Sequence, residues 1–306
     1  MQSFIVLAVV GLLAQLVDGS LGMAYGVTSS TLLLAAGIAP AAASAAVHFS
    51  EIGTTLVSGY SHHRLGNVDW RTVGILAVPG AIGAFFGATF LVSLPADVAK
   101  PWVAAILLTL GVYVVYRFLV LRGRRPKFPG RPSASFLAPL GLFAGALDAI
   151  GGGGWGPVGT TSLLSSGRLE PRKVVGSIDT SEFLVAVGGS LGFLLALGSE
   201  AVAWKIAGAL LLGGVIAAPI AAWLVRHLPA TILGVAAGGV IILTNTKTIL
   251  EVLGFAGSSI GLVALVLAVL WVSALVFAVR DYRRVAGETE GETDEAMGEG
   301  LPVLVE

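Results

Sequence analysis

Two stretches of this chain repeat each other, and each breaks an apolar segment with glycine. QLVDGSLGMAYGVTSSTLLLAAG (15–37) aligns with GALDAIGGGGWGPVGTTSLLSSG (145–167) at one constant offset. The alignment pairs Asp18 with Asp148, Gly22 with Gly152, Gly26 with Gly156, Thr31 with Thr161, Leu33 with Leu163 and Gly37 with Gly167. After one residue of slippage, Pro40 matches Pro171 and Ser50-Glu51 matches Ser181-Glu182. Further on, Val68 and Trp70 match Val202 and Trp204, and Pro95 matches Pro229. A chain written twice from one plan folds as two related halves, and this plan includes interrupted helices.

The solvent for that plan is lipid. Of 306 residues, 56% are hydrophobic and 12% charged, whereas soluble domains carry about 25% charged residues. Mean hydropathy is +0.91. Runs such as 71–92, 101–121, 201–225 and 257–279 approach the roughly 20 residues that cross a bilayer. The expected class is all-α: a polytopic helical protein of the cell membrane. The absence of cysteine excludes disulfides, thiolate metal sites and thiol catalysis. The N-terminal MQSFIVLAVVGLLAQLVDG lacks the basic region of a cleaved signal, so it reads as the first membrane segment.

Segments 2–37 and 136–167 are too long for one span, and glycines break each at its centre. Folded as two short half-helices, each would enter and leave on one side, where irregular backbone is tolerated only inside protein or a watery cavity. Each half then holds a re-entrant hairpin and three spans, and the halves are inverted. The expected divisions are a first repeat (1–121), a basic cytoplasmic linker (122–135), a second repeat (136–253), an extra span with its basic stop (257–284) and an acidic, disordered tail (285–306). On this topology 15 of the 18 Lys and Arg fall in cytoplasmic loops, as the positive-inside rule asks. They are Arg64, Arg71, Arg117, Arg122, Arg124, Arg125, Lys127, Arg131, Arg168, Arg172, Lys173, Arg226, Arg280, Arg283 and Arg284. The N-terminus is expected outside and the C-terminus in the cytoplasm. The tail holds seven acids and no base, a composition of disorder. Inverted repeats whose broken helices meet near the midplane are a recurrent plan of secondary transporters.

The GGGGWGP run at 151–157, its partner GSLGMAYG at 19–26 and the Ser-Glu dipeptide of each half resemble the TauE/SafE family. Its members are also called sulfite exporter or TSUP transporters, and the resemblance covers roughly residues 3–280. It implies a secondary carrier of small sulfur-containing anions or organic acids such as sulfite, sulfonates or sulfoacetate. The first half departs from the glycine-rich form, with Leu21, Met23 and Ala24 where the second has Gly151, Gly153 and Gly154. The two hairpins are therefore not expected to be chemically equivalent.

The candidate binding residues surround the breaks. Gly152, Gly153 and Gly154 can expose main-chain N–H groups, and the half-helix from Trp155 and Gly156 presents a positive dipole end suited to an anion. Thr160 and Thr161 add hydroxyls, as Thr28 and Ser29 do after Gly26; close packing through small residues is the competing reading. Glu51 and Glu182 lie about ten residues inside apolar spans, where an ionised carboxylate is costly. They are candidates for proton coupling, against a purely structural hydrogen-bonding role. His48 shares a helical face with Glu51, and Asp179 stands in the same relation to Glu182. His48 is a candidate for anion binding or proton relay. Asp18 and Asp148 precede the breaks by the same interval and suit hydrogen bonds to the loop amides. Ser50 and Ser181 join them as structural polar groups, and Tyr25 and Trp155 are candidate cavity-lining aromatics. Lys247 is expected to snorkel outward or, with Asn245, to assist anion entry, while His62 and His63 are expected in a solvated loop.

The reading is therefore secondary transport of a small anion by alternating access, with protons as the coupling ion and the bilayer as environment. The alternative is a divalent metal-cation carrier using His48, Glu51, Asp179 and Glu182. No enzyme activity, cofactor, resident metal or nucleic-acid partner is expected. No nucleophile–base–orienter set is present, and no G-x-x-x-x-G-K-[ST] loop for ATP appears.

Overall fold

Proline and glycine punctuate the apolar runs, and the helices begin and end at that punctuation. The computed structural model describes residues 4–21, 23–120, 130–224 and 230–298. The basic residues Arg122, Arg124, Arg125 and Lys127, together with Arg226, Gly22 and the last eight residues, lie outside these. Among the described residues there is no strand. α1 (Phe4–Leu21) and α2 (Tyr25–Ala35) flank the first break, followed by α3 (Pro40–Arg64), α4 (Trp70–Ser93) and α5 (Ala96–Leu119). α6 (Ala134–Gly151) meets the second break. A turn of wider π geometry (Trp155–Thr160) then runs into α7 (Thr161–Ser166). α8 (Pro171–Leu197), α9 (Trp204–Leu224) and α10 (Ala230–Val252) repeat the order of α3 to α5, and α11 (Gly257–Gly298) is extra. Pro40 opens α3 in its first turn, where a missing N–H costs nothing.

Among the described residues, six helices have the length and apolarity to cross a membrane: stretches of α4, α5, α6, α8, α10 and α11. α3 has 25 residues, but its centre carries His48, Ser50, Glu51, Thr54 and Thr55. α11 is the least enclosed, with 6% of its most apolar stretch buried against the rest of the chain. It leans on α10, where the Trp271 indole donates to the Val235 carbonyl at 2.9 Å. Its backbone is helical to Gly298, into the acidic stretch. Glu and Ala, which recur there, are good helix formers.

The main helix pairings recur when the halves are exchanged. α4 lies along α6 as α9 lies along α1; α4 touches α8 as α9 touches α3; α3 pairs with α8, and α5 with α10. The first arms sit at backbone contact. A methyl on Gly83 would strike the Leu142 carbonyl, and one on Gly145 the Gly80 carbonyl; across the other pair, a methyl on Gly213 would strike the Ala8 carbonyl. In lipid, where apolar burial drives little, such small-residue approaches carry helix association.

The arms of each broken segment are unequal, which corrects the expectation of two short half-helices. α1 and α6 each have 18 residues, about 27 Å of helix. The second arms are short, with α2 at 11 residues. His62 and His63 also differ from expectation, because α3 winds on to Arg64 and carries both on its last turn.

Candidate functional site

Each break is held by the aspartate that precedes it. Asp18 Oδ1 accepts the Tyr25 amide at 3.1 Å. Asp148 Oδ1 accepts the amides of Gly154 at 2.5 Å and Trp155 at 2.9 Å, while its own carbonyl accepts the Gly153 amide. Gly152 sits in the left-handed region at φ 68°, and a side chain there would fall on the Ser30 hydroxyl. The equivalent turn in the first half costs more. Ala24, aligned with Gly154, has φ 120° and is the one non-glycine residue with positive φ among those described.

The two breaks meet. A methyl on Gly26 would lie 2.7 Å from Gly153 Cα and 2.8 Å from the Gly152 carbonyl, and one on Gly153 would strike the Val27 amide nitrogen. Ser30 donates to the Gly152 carbonyl at 2.5 Å, and Ser44 to the Ala149 carbonyl at 2.7 Å. In this conformation main chain fills the space between Gly26 and Gly153. Glu51 places the contact in depth: Oε1 would be 3.1 Å from a Gly26 methyl. Glu51 stands eleven residues beyond Pro40, about 16 Å along α3.

Around the contact stand two triads that trade partners between halves. His48 and Glu51 of the first half meet Asp148 of the second; Asp179 and Glu182 of the second meet Asp18 of the first. Within each triad the ligand atoms lie within 4.8 Å of one another, and all six side chains are buried. His48 Nδ1 lies 3.0 Å from the Ser44 carbonyl and Nε2 3.3 Å from Asp148 Oδ2. A carbonyl only accepts, so Nδ1 carries a hydrogen. Two lone pairs would then face each other across the second contact unless a cation, a proton included, sits between them. That contact is close enough for an ion pair but outside hydrogen-bond geometry, and both Glu51 oxygens also lack a hydrogen-bond partner. In the other triad, Asp179 Oδ2 lies 3.9 Å from His62 Nε2, a partner that the loop assignment of His62 concealed.

The remaining candidates separate into bonded and unbonded groups. Trp155, fully buried, donates from its indole to the Ile178 carbonyl at 3.1 Å and packs on Gly80; Tyr25 shares a hydrogen bond with Ser50 at 3.0 Å, beside Gly214. Gly80 and Gly214 stand at matching places in α4 and α9, so both aromatics are locked by twin notches. Ser181 donates to the Ile178 carbonyl at 2.7 Å, and Thr161 to the Pro157 carbonyl. Thr160 and Gly156 are buried in the π turn. By contrast, the hydroxyls of Thr28 and Ser29 are buried on α2 without a hydrogen-bond partner. Asn245 bonds Thr31 at 2.9 Å, and its carbonyl oxygen is unpartnered and buried. Lys247 faces outward, 61% exposed and 3.7 Å from Glu251. Among the described residues, the ion-pair contacts of the five central acids are with imidazoles, not with Lys or Arg.

Comparison with known proteins places the chain among membrane transporters. The family described as Sulfite exporter TauE/SafE matches residues 7–248. The chain is 51% identical over 285 residues to the probable membrane transporter protein YtnM of Bacillus subtilis (strain 168), covering 91% of this chain and 93% of that one. It is 30% identical over 142 residues to the probable membrane transporter protein YdhB of the same organism, covering 46% and 58%. No solved structure matches.

Proposed function

We propose, since this chain belongs to the TauE/SafE sulfite exporter family, that it is a proton-coupled secondary carrier of a small anion, of which sulfite and organosulfonates are the leading candidates. It is a multi-pass membrane transporter; substrate, coupling and mechanism are our reading. The observation that carries the reading is the electrostatics of the centre. Five buried carboxyl groups, Asp18, Glu51, Asp148, Asp179 and Glu182, surround the meeting breaks, and an imidazole is the ion-pair contact of two of them, Asp148 and Asp179. An anion cannot share a low-dielectric centre with ionised carboxylates, because like charges at such range repel by several kcal/mol. Protons must therefore enter with it, and Glu51 and Glu182, at matching depths in the two halves, are the groups to take them.

The solute would be held by groups that lack a partner in this conformation, the hydroxyls of Thr28 and Ser29 and the Asn245 carboxamide. The amides of Gly152–Gly156, Thr160, Thr161 and His48 would complete the site once the breaks part. Alternating access then consists of one half moving against the other about the Gly26–Gly153 contact, with the N-terminus outside and the C-terminus in the cytoplasm. The test is anion exchange in proteoliposomes with a pH-reporting dye inside. An imposed sulfite or sulfonate gradient is expected to move protons with the anion, and E51Q with E182Q should abolish that proton movement. Anion flux in the double variant with unchanged proton movement would end this reading.

A further inference from the structure

We infer that His48, Glu51 and Asp148 form a binding site for a divalent first-row transition-metal ion. The inference concerns the buried centre of the transport reading but goes beyond it, since it does not depend on which solute is carried. Three observations support it. The ligand atoms of the three residues converge within 4.8 Å from two halves of the chain. Both Glu51 oxygens, His48 Nε2 and Asp148 Oδ2 are buried without a hydrogen-bond partner, which for groups this polar is an unmet demand. The imidazole is also oriented as a ligand. Its Nδ1 hydrogen is fixed on the Ser44 carbonyl at 3.0 Å, leaving Nε2 as the ring's free lone pair, 3.3 Å from Asp148 Oδ2; metal-bound histidines are held by such a bond from the other ring nitrogen.

The spacing of His48 and Asp148 fits an ion. Two ligand atoms 3.3 Å apart subtend about 104° at a metal about 2.1 Å from each, between octahedral and tetrahedral angles. One imidazole and two carboxylates suit manganese, iron, cobalt or zinc. The ion would also fill the place between Nε2 and Oδ2, and it would tie the second break to α3. The twin triad, Asp18, Asp179 and Glu182, has carboxylates in place of the mixed set because Asp179 stands where His48 does. With oxygen ligands alone it lacks the nitrogen donor that selects transition metals, so the two sites differ in chemistry despite their shared geometry.

The test uses tag-free, chelator-treated full-length protein in detergent, titrated calorimetrically with Mn²⁺, Co²⁺ and Zn²⁺ and, for Co²⁺, by visible absorption. The expected result is saturable binding of one ion per chain at this site. H48Q and E51Q should each weaken it by at least about 10- to 100-fold, the loss seen when even outer-shell partners are removed, while E182Q should leave it unchanged. Size-exclusion profiles establish folding, and if E51Q fails to fold, H48Q supplies the same reading. Absence of saturable binding by the unmutated protein would overturn the inference. So would binding that H48Q leaves intact or that E182Q alone removes. Anion exchange by the same preparations separates the two proposals, because a carrier that moves anions and binds no metal removes this inference only.

Discussion

Gly153→Ala places one methyl group where the two breaks touch, and its consequence can be worked from the contact. The methyl would fall on the Val27 amide nitrogen and lie 2.7 Å from Val27 Cα. Carbon atoms in contact sit about 3.5–4.0 Å apart, and backbone cannot rotate aside, so the breaks must part by roughly 1 Å. Overpacking of this kind costs about 1–3 kcal/mol, which lowers the population of the touching conformation about 5- to 150-fold. Gly151→Ala, two residues earlier, is the control. There a methyl meets the Cγ2 methyl of the Ile106 side chain at 2.9 Å and no backbone. Thermal unfolding of the detergent-purified proteins, followed by tryptophan fluorescence, should put G153A about 2–5 °C below G151A. Anion exchange should slow in G153A alone. Equal unfolding temperatures and equal exchange would refute the contact and the reasoning built on it.

Three further outcomes follow from single residues. Ala24→Gly relieves a positive φ that costs an L-residue about 1–3 kcal/mol and should raise the unfolding temperature; a decrease would contradict the geometry at Ala24. Asp148→Ala strips the Gly154 and Trp155 amides of their acceptor, at about 1–3 kcal/mol for each buried donor left unpaired. Asp148→Asn keeps an oxygen and should unfold closer to the unmutated protein, and equal losses in both variants would argue against the capping role. Asp69→Ala removes the N-cap of α4, where the carboxylate accepts the Thr72 amide at 2.9 Å, and should cost about 1 kcal/mol. Burial opposes the charge of Asp69, yet the bonds from Thr72 and the nearby Arg131 guanidinium hold its carboxyl below the usual range. Its contribution is therefore present at neutral pH and lost as pH falls below about 4. The gap between D69A and the unmutated protein should close on acidification, and a gap that widens would contradict the assignment.

The sequence disclosed the parts better than their partners. Glycine and proline placed the breaks, and the matching intervals to Asp18, Asp148, Glu51 and Glu182 marked the carboxylates, because backbone freedom and the cost of a buried charge are local properties. Alignment of the repeats, however, pairs equivalent residues; it does not say which residues touch. Exchange of the halves sends Asp148 to His48 and Glu51, and Asp18 to Asp179 and Glu182, a result of three-dimensional symmetry that no spacing encodes. The four metal ligands expected from sequence are accordingly divided between two triads. His62 looked like a loop residue because its neighbours are polar, yet α3 continues far enough to bring it to Asp179. The unequal arms were hidden for a similar reason: glycine marks where a helix stops, while its starting point depends on what it packs against, here α9 for α1 and α4 for α6.

The central claim is that the transport site is assembled across the halves, and a double-mutant cycle on anion-exchange rates tests it most directly. D148N and E51Q remove two members of one triad; D18N and E51Q remove members of different triads from the same half. Residues acting as a unit are non-additive, whereas independent ones multiply. The account predicts that D148N/E51Q exchanges no more slowly than the slower of its single variants, while the losses in D18N/E51Q compound. Compounding losses in D148N/E51Q, with D18N and E51Q acting as the unit, would contradict it.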